Sequence, residues 1–283
     1  MSQGTGLELI LNAAEGALQI LITEDEHILC AQEWRRTDRA TEILTPALKG
    51  MCTALGIQPS EFRRIACICG PGSFTGIRLV LATAAALRRT GRAQLAGLNY
   101  LQALATTVVQ RRSLPYGVYI WTLTHARRNL VHCQPYISYG PRIPAQPLAE
   151  VKLCTPQEAV NQIDSTPKIQ PQGMCLPQCV WICGSGLSRN HGLFESFDGM
   201  GELPVSPNAP VVALPEVSSP DFSALCLLAR HGEYFYNDIQ PLYVRSCDAV
   251  ENLPHLAPRL GISGDEAYAA LQAQLARTPH SEI

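Results

Sequence analysis

The sequence predicts an α/β protein of two lobes, the first running β-β-β-α-β-α-β-α and the second smaller and diverged. Three observations predict it. Residues 7–109 alternate short apolar runs of strand length with longer apolar runs of helical period. A corner with three glycines in seven residues, Gly70-Pro71-Gly72-Ser73-Phe74-Thr75-Gly76, joins one strand to an almost uncharged helix. Thirteen of the 21 prolines lie between Pro135 and Pro220, which argues for loops and edge-protected strands over a second doubly wound unit.

The elements follow in order. Residues 7–12, 17–23 and 27–34 are strand-like runs separated by turn signals at 13–16 and 24–26, and they predict a meander. A helix over 39–55 has Thr37 and Asp38 as cap candidates, Gly56 as its stop and Ile43, Leu44, Ala47, Leu48, Met51 and Leu55 on the helical repeat. Strand 64–69, the glycine corner, a helix to about residue 89, strand 93–98 and a helix over 99–109 complete the first lobe. In the second, residues 118–123 and 130–137 read as paired strands. Thr155-Pro156-Gln157-Glu158 carries a cap, a first-turn proline and a capping-box glutamate for a helix to 163. Residues 180–183 form a further strand, Ser219-Pro220-Asp221 starts a helix to 230 that packs back on the first lobe, and 265–275 read as an appended helix. The expected division is therefore 1–112 with helix 219–232, then 113–218, then a C-terminal extension over 233–283.

Composition narrows the function. Lys plus Arg number 22 against 24 for Asp plus Glu, a net charge of −2, so no basic surplus predicts unaided tRNA binding. Arg35-Arg36, Arg88-Arg89 and Arg127-Arg128 read as solvated ends of elements. The start has no basic segment leading into a long apolar core, and no run of eighteen apolar residues occurs, so a cytoplasmic, non-membrane protein is expected. Eleven cysteines, an odd number, then read as reduced thiols. Cys175, Cys179 and Cys183 have a C-x₃-C-x₃-C spacing, but the usual C-x₂-C knuckle is absent, and the seven histidines contain no H-E-x-x-H or H-x-x-x-H pair. No metal site is expected.

Two readings of the corner stand side by side. A glycine-rich turn before a helix N-terminus presents free N–H groups suited to a phosphate or carboxylate, with Gly70, Gly72, Ser73, Thr75 and Gly76 as the candidate anion or nucleotide set. The other reading is a purely structural strand-to-helix turn. No lysine follows the last glycine, so the Walker pattern fails, and the spacing differs from the dinucleotide fingerprint. No histidine can be assigned to Ser73 as a catalytic partner, and G-x-S-x-G is not matched. The helix after the corner has Arg78 as its one charge before Arg88 and is apolar all round, which requires burial on more than one side, by a neighbouring helix or by a second protein.

The run Gly70-Pro71-Gly72-Ser73-Phe74-Thr75-Gly76-Ile77-Arg78 resembles the TsaB (YeaZ) family, non-catalytic relatives of TsaD in bacterial threonylcarbamoyladenosine tRNA modification. The resemblance continues through Leu79 to Ala84 and Leu101 to Ala105, and on to Ala126-Arg127-Arg128, Cys183-Gly184-Ser185-Gly186 and Pro241-Leu242-Tyr243-Val244-Arg245. It implies a two-lobed actin-like ATPase (ribonuclease-H-like) fold. It further implies a non-catalytic scaffold subunit that binds and activates a TsaD-like partner for threonylcarbamoyl transfer to adenosine-37 of tRNA. Such proteins pair through the two helices of the first lobe, which makes Ile43, Ala47, Met51, Leu79 and Thr83 the expected interface. No cofactor is then expected on this chain; ATP and metal belong to the TsaD-like protein and a TsaE-like ATPase, and tRNA is met indirectly.

The chain departs from the family at three places. Asn12-Ala13-Ala14 stands where relatives write D-T-S, Ala40 where they carry a histidine, and His125 where they have aspartate. Actin-like ATPases and sugar kinases use an aspartate at the end of the first strand, and Asn12 cannot supply its charge. An ATP-binding phosphotransferase using the glycine corner is the alternative reading, and a homodimeric module using the same two helices is a third.

Overall fold

A computed structural model of the chain describes residues 6–25, 27–35, 39–127, 129–166, 179–194, 211–244 and most of 257–269. The expected helix over 265–275 and Cys175 fall wholly or partly outside them. One compact unit spans Met1–Leu242 and a second Tyr243–Ile283.

The first sheet has the order β3-β2-β1-β4-β5, from β1 (Leu7–Glu15), β2 (Ala17–Glu24), β3 (His27–Trp34), β4 (Arg64–Gly70) and β5 (Gln94–Asn99). The first three strands are antiparallel and the last two run parallel to β1. Because β1 and β2 are central, they read as nearly continuous apolar runs, buried on both faces. On one face, α1 (Ala40–Leu55) and α2 (Phe74–Gly91) cover Leu9, Leu11, Ile20 and Ile22 with Leu44, Leu48, Met51, Val80 and Ala84. On the other, α3 (Tyr100–Arg112) and α7 (Phe222–Arg230) cover Ile10, Leu21, Ala66 and Ile68. The predicted fold class holds, element for element, through α3.

The second sheet has the order β11-β10-β6-β7-β8, built from β6 (Tyr119–Arg127), β7 (Leu130–Ile137), β8 (Gln146–Pro147), β10 (Val180–Cys183) and β11 (Val211–Leu214), with β9 (Lys152–Cys154) also paired to β7. Helix α3 lies against both sheets: Leu101, Leu104 and Val108 share one core with Ile120 and Tyr136. That explains why α3 has almost no polar face. Helices α4 (Pro156–Asp164), α5 (Ser185–Arg189) and α6 (His191–Phe194) are the remaining described α-helices. Thr155 and Glu158 form the expected capping box, Thr155 Oγ1 accepting from Glu158 N–H at 3.3 Å and Glu158 accepting from Thr155 N–H at 2.8 Å. Thr155→Ala is expected to lower stability by about 1 kcal/mol in chemical denaturation, the usual worth of a helix cap.

Several boundaries differ from the sequence reading, each for a reason. Strand β1 does not stop at residue 12 but continues through a bulge to Glu15, because Gly16 alone makes the turn. Strand β6 reaches Arg127 because Asn129 adopts a left-handed φ of +61° and closes the hairpin tightly. Residues 233–242, assigned by sequence to the extension, run beside the first lobe instead. Leu95 and Phe235 exchange backbone hydrogen bonds of 2.7 and 2.9 Å, and Leu242 N–H donates to Cys69 O at 2.8 Å. Asp238 accepts from Arg88 and Arg89 at 2.8 and 3.1 Å, so these two arginines clamp that segment and are not merely solvated.

Candidate functional site

The glycine corner packs against the end of β1. A Cβ on Gly72 would overlap the carbonyl of Ala14, and one on Gly76 would overlap the carbonyl of Ala13. Gly70, at φ +138°, lies against the Leu242 carbonyl, and the Gly70–Pro71 peptide is cis. Ser73 caps α2 by accepting from Gly76 N–H at 3.3 Å, while its own N–H donates to Ala14 O at 2.5 Å. Thus Gly70, Gly72, Ser73 and Gly76 do come together, with Thr75 exposed at the helix start. What faces the glycines is the protein's own carbonyl oxygens, the negative ends of peptide dipoles, and these repel a phosphate. Close backbone approach therefore accounts for each glycine.

Asn12, the residue in place of the expected aspartate, is 1% exposed and fully engaged. Its Nδ2 donates to Gln19 Oε1 at 2.8 Å and its Oδ1 accepts from Ala14 N–H at 3.0 Å. Gln19 in turn donates to Glu33 Oε2 at 2.9 Å and to Pro220 O at 2.8 Å. This chain of amides fixes the end of β1 and ties the segment before α7 to the first sheet. A buried amide network of this kind is satisfied as it stands. Ala40, at the histidine position, is buried at the start of α1.

A carboxylate that the sequence reading passed over lies between the two sheets. Glu15, at the tip of β1, accepts from Ser185 Oγ at 2.9 Å, and Ser185 Oγ accepts from the His125 N–H at 2.9 Å. Burial pushes the Glu15 pKa up to about 7, with the Ser185 hydrogen bond and the Arg189 charge acting in the opposite direction. Burial also lowers the His125 imidazole pKa, and Arg189 adds to the effect. Gly184, at φ +111°, and Gly186 allow this turn to approach the Leu123 backbone. The signal was present: Glu15 is the one charge between Leu9 and Thr23, and a lone carboxylate in such a run is worth tracing.

The third feature is a groove of about 810 Å³ between α1 and α2, with Leu48, Cys52, Leu79, Ala82, Thr83 and Leu87 among its walls. Leu79 and Thr83, two residues of the expected interface, line it, Thr83 Oγ1 donating to Leu79 O at 2.8 Å. Ile43 and Ala47 are half-buried on α1 against the sheet core. Met51 is a correction to the expected interface: at 2% exposure it faces inward beneath α1 and belongs to the core. Helix α2 is likewise less enclosed than its sequence predicts. Ala82 and Ala86 are exposed, and Leu79, Thr83 and Leu87 only half-buried, so its outer apolar side stays partly open.

Among the described residues no group of three or more His, Cys, Asp or Glu side chains could hold a metal ion. Cys183 is fully buried on β10, and burial raises its thiol pKa. No helix among the described residues is long and apolar enough to cross a membrane.

These features define a class: a two-sheet α/β protein whose first strand ends in a buried amide, two alanines and a carboxylate. Comparison with known proteins agrees with it. The family model described as TsaD, tRNA N6-adenosine threonylcarbamoyltransferase, matches residues 37–170. An uncharacterized protein with similarity to peptidase YeaZ from Pseudomonas aeruginosa superposes with a TM-score of 0.64 at 17% identity, over 85% of this chain and 100% of that one. YeaZ from Pseudomonas aeruginosa gives 0.60 at 16% identity, over 84% and 99%. No curated protein matches the sequence. The two superpositions show a fold shared with YeaZ, and the family model matches the part of the chain from residue 37 to 170.

Proposed function

We propose that this chain serves the threonylcarbamoyladenosine pathway of tRNA as a non-catalytic subunit, binding a TsaD-like catalytic partner through the groove between α1 and α2. The observation that carries this reading is the outer side of α2. Leu79, Ala82, Thr83 and Ala86 form a stripe of small and apolar side chains beside a groove that the first lobe leaves open. Small residues permit close helix approach, and a partner helix seated there removes the apolar walls from water.

The cleft supports the non-catalytic part. A phosphate placed at the tip of β1 would meet the Glu15 carboxylate and the carbonyls of Ala13 and Ala14, with no aspartate to orient metal or nucleophile. The contribution of this subunit is then interface free energy, spent on stabilising the competent conformation of its partner. ATP, metal and tRNA contacts fall to the TsaD-like and TsaE-like proteins.

Calorimetric titration with the TsaD homologue of the same cell tests the reading. Leu79→Glu is expected to weaken binding at least about tenfold while the circular dichroism and melting of the free subunit stay as in wild type, since Leu79 is only half-buried. Failure of the wild-type chain to bind, or binding that Leu79→Glu and Ala82→Glu leave intact, refutes it. A mass that doubles with concentration in the absence of partner favours the homodimeric reading instead.

A further inference from the structure

Strands β7 and β9 bring two cysteines together in the second lobe. The antiparallel register pairs Cys133 with Lys152 and Val131 with Cys154, so the two cysteines are diagonal neighbours on one face of the sheet. Their sulfurs are 3.3 Å apart. Both face the core that includes Leu123, Ala159 and Ile163, Cys133 at 1% exposure and Cys154 at 8%. A disulfide needs a sulfur separation of about 2.0 Å, and a linear thiolate–metal–thiolate bridge needs one well beyond the contact seen. The geometry suits the first, not the second.

We propose that Cys133 and Cys154 are an oxidation site that closes to an intramolecular disulfide when the chain meets a small peroxide. The remaining closure of the sulfurs is within the reach of side-chain rotation together with a small shift of β9, which is three residues long and lies at the margin of the sheet. Electrostatics assigns the order of events. The hydrogen bond between the two thiols holds the Cys154 thiol below its usual range and raises that of Cys133, while the Lys152 ammonium lowers both. Cys154, the more exposed, is then the attacking thiolate. Its sulfur takes one oxygen of hydrogen peroxide as the O–O bond breaks, giving a sulfenic acid and hydroxide. Cys133 sulfur attacks that sulfenic sulfur, the S–O bond breaks, and the oxygen leaves as water with the Cys133 proton. Two thiols lose two electrons and the peroxide gains them.

Cys67 and Cys183 are fully buried with raised pKa values, and Cys67 and Cys69 contact the carbonyls of Val80 and Leu98. Closing the bridge would staple β9, and the Thr155 cap of α4 that follows it, to β7.

Peptide mapping of the full-length chain tests this. Protein is treated with hydrogen peroxide, alkylated in denaturant and digested, with and without later reduction by a dithiol. The expected product is a cross-linked pair of peptides containing Cys133 and Cys154, about 2 Da lighter than their sum and restored by reduction. Cys133→Ser is expected to leave Cys154 as a sulfenic acid trapped by a 1,3-dione, and Cys154→Ser to leave Cys133 fully alkylated. The proposal is overturned if both thiols alkylate after peroxide, if Cys154 links to another cysteine, or if Cys154 becomes a sulfinic acid while Cys133 stays free.

Discussion

Gly76→Ala is expected to destabilise the protein by about 3 kcal/mol or more, measured as a fall in the urea midpoint at unchanged m-value. Helix propensity alone argues the opposite. Gly76 lies in the first turn of α2, where alanine ordinarily gains close to 1 kcal/mol over glycine. The decisive term is steric. A methyl group at Gly76 would overlap the Ala13 carbonyl in the central strand of the sheet, and a main-chain carbonyl cannot rotate aside as a side chain can. Overpacking against a fixed wall costs 1–3 kcal/mol even where side chains give way, so the clash outweighs propensity. Gly72→Ala, which meets the Ala14 carbonyl, is expected to behave alike. Gly50→Ala on the outer side of α1, with open space around it, is the control and is expected to be neutral or to stabilise by roughly 0.5–1 kcal/mol. If Gly76→Ala is as stable as wild type, the packing account of the corner is wrong and its phosphate reading regains its place.

Glu15→Gln is expected to remove a pH dependence of stability. The Glu15 pKa rises from 4.5 to about 7 on folding because burial disfavours the charge. Below 4.5 the carboxyl is protonated in both states and contributes nothing. Between 4.5 and 7 the unfolded chain ionises while the folded one stays protonated, so the folded state binds more protons and stability falls as pH rises. Above 7 the loss is complete. At 1.36 kcal/mol per unit the full effect is about 3 kcal/mol. The variant keeps an oxygen for the Ser185 hydroxyl and is expected to match wild type at pH 4 and to exceed it by as much as about 3 kcal/mol at pH 8. Arg189 is the charged neighbour that lowers the Glu15 pKa, so Arg189→Gln should raise that pKa further and carry the fall in stability to higher pH. Parallel stability curves for wild type and Glu15→Gln between pH 4 and 8 would show that Glu15 is solvated.

Much of the first lobe was legible because its signals are local. Three strand-length runs and the Gly56 stop of α1 each act within a few residues, and the structure has a strand or a stop at each of them. The short strands β8, β9 and β11 were not legible. Two to four residues carry no period, and each exists because an edge of the second sheet offers unpaired backbone groups. Met51 shows the same limit within a helix. Periodicity places it on the apolar face of α1, but that face has an inward part and a flank, and only packing against the sheet separates them.

The candidate site divides along the same line. Sequence by itself determined the order of elements, the sharp strand-to-helix corner, an amide at residue 12 and an apolar α2, since each follows from residue type and spacing along the chain. Tertiary structure decided that the corner's glycines meet the carbonyls of Ala13 and Ala14, that Glu15 reaches Ser185 across 170 residues of chain, that Cys133 faces Cys154, and that one side of α2 stays uncovered. All four are contacts, or missing contacts, between segments remote in sequence, and they arise from how two sheets and their helices close on one another, which no local pattern encodes.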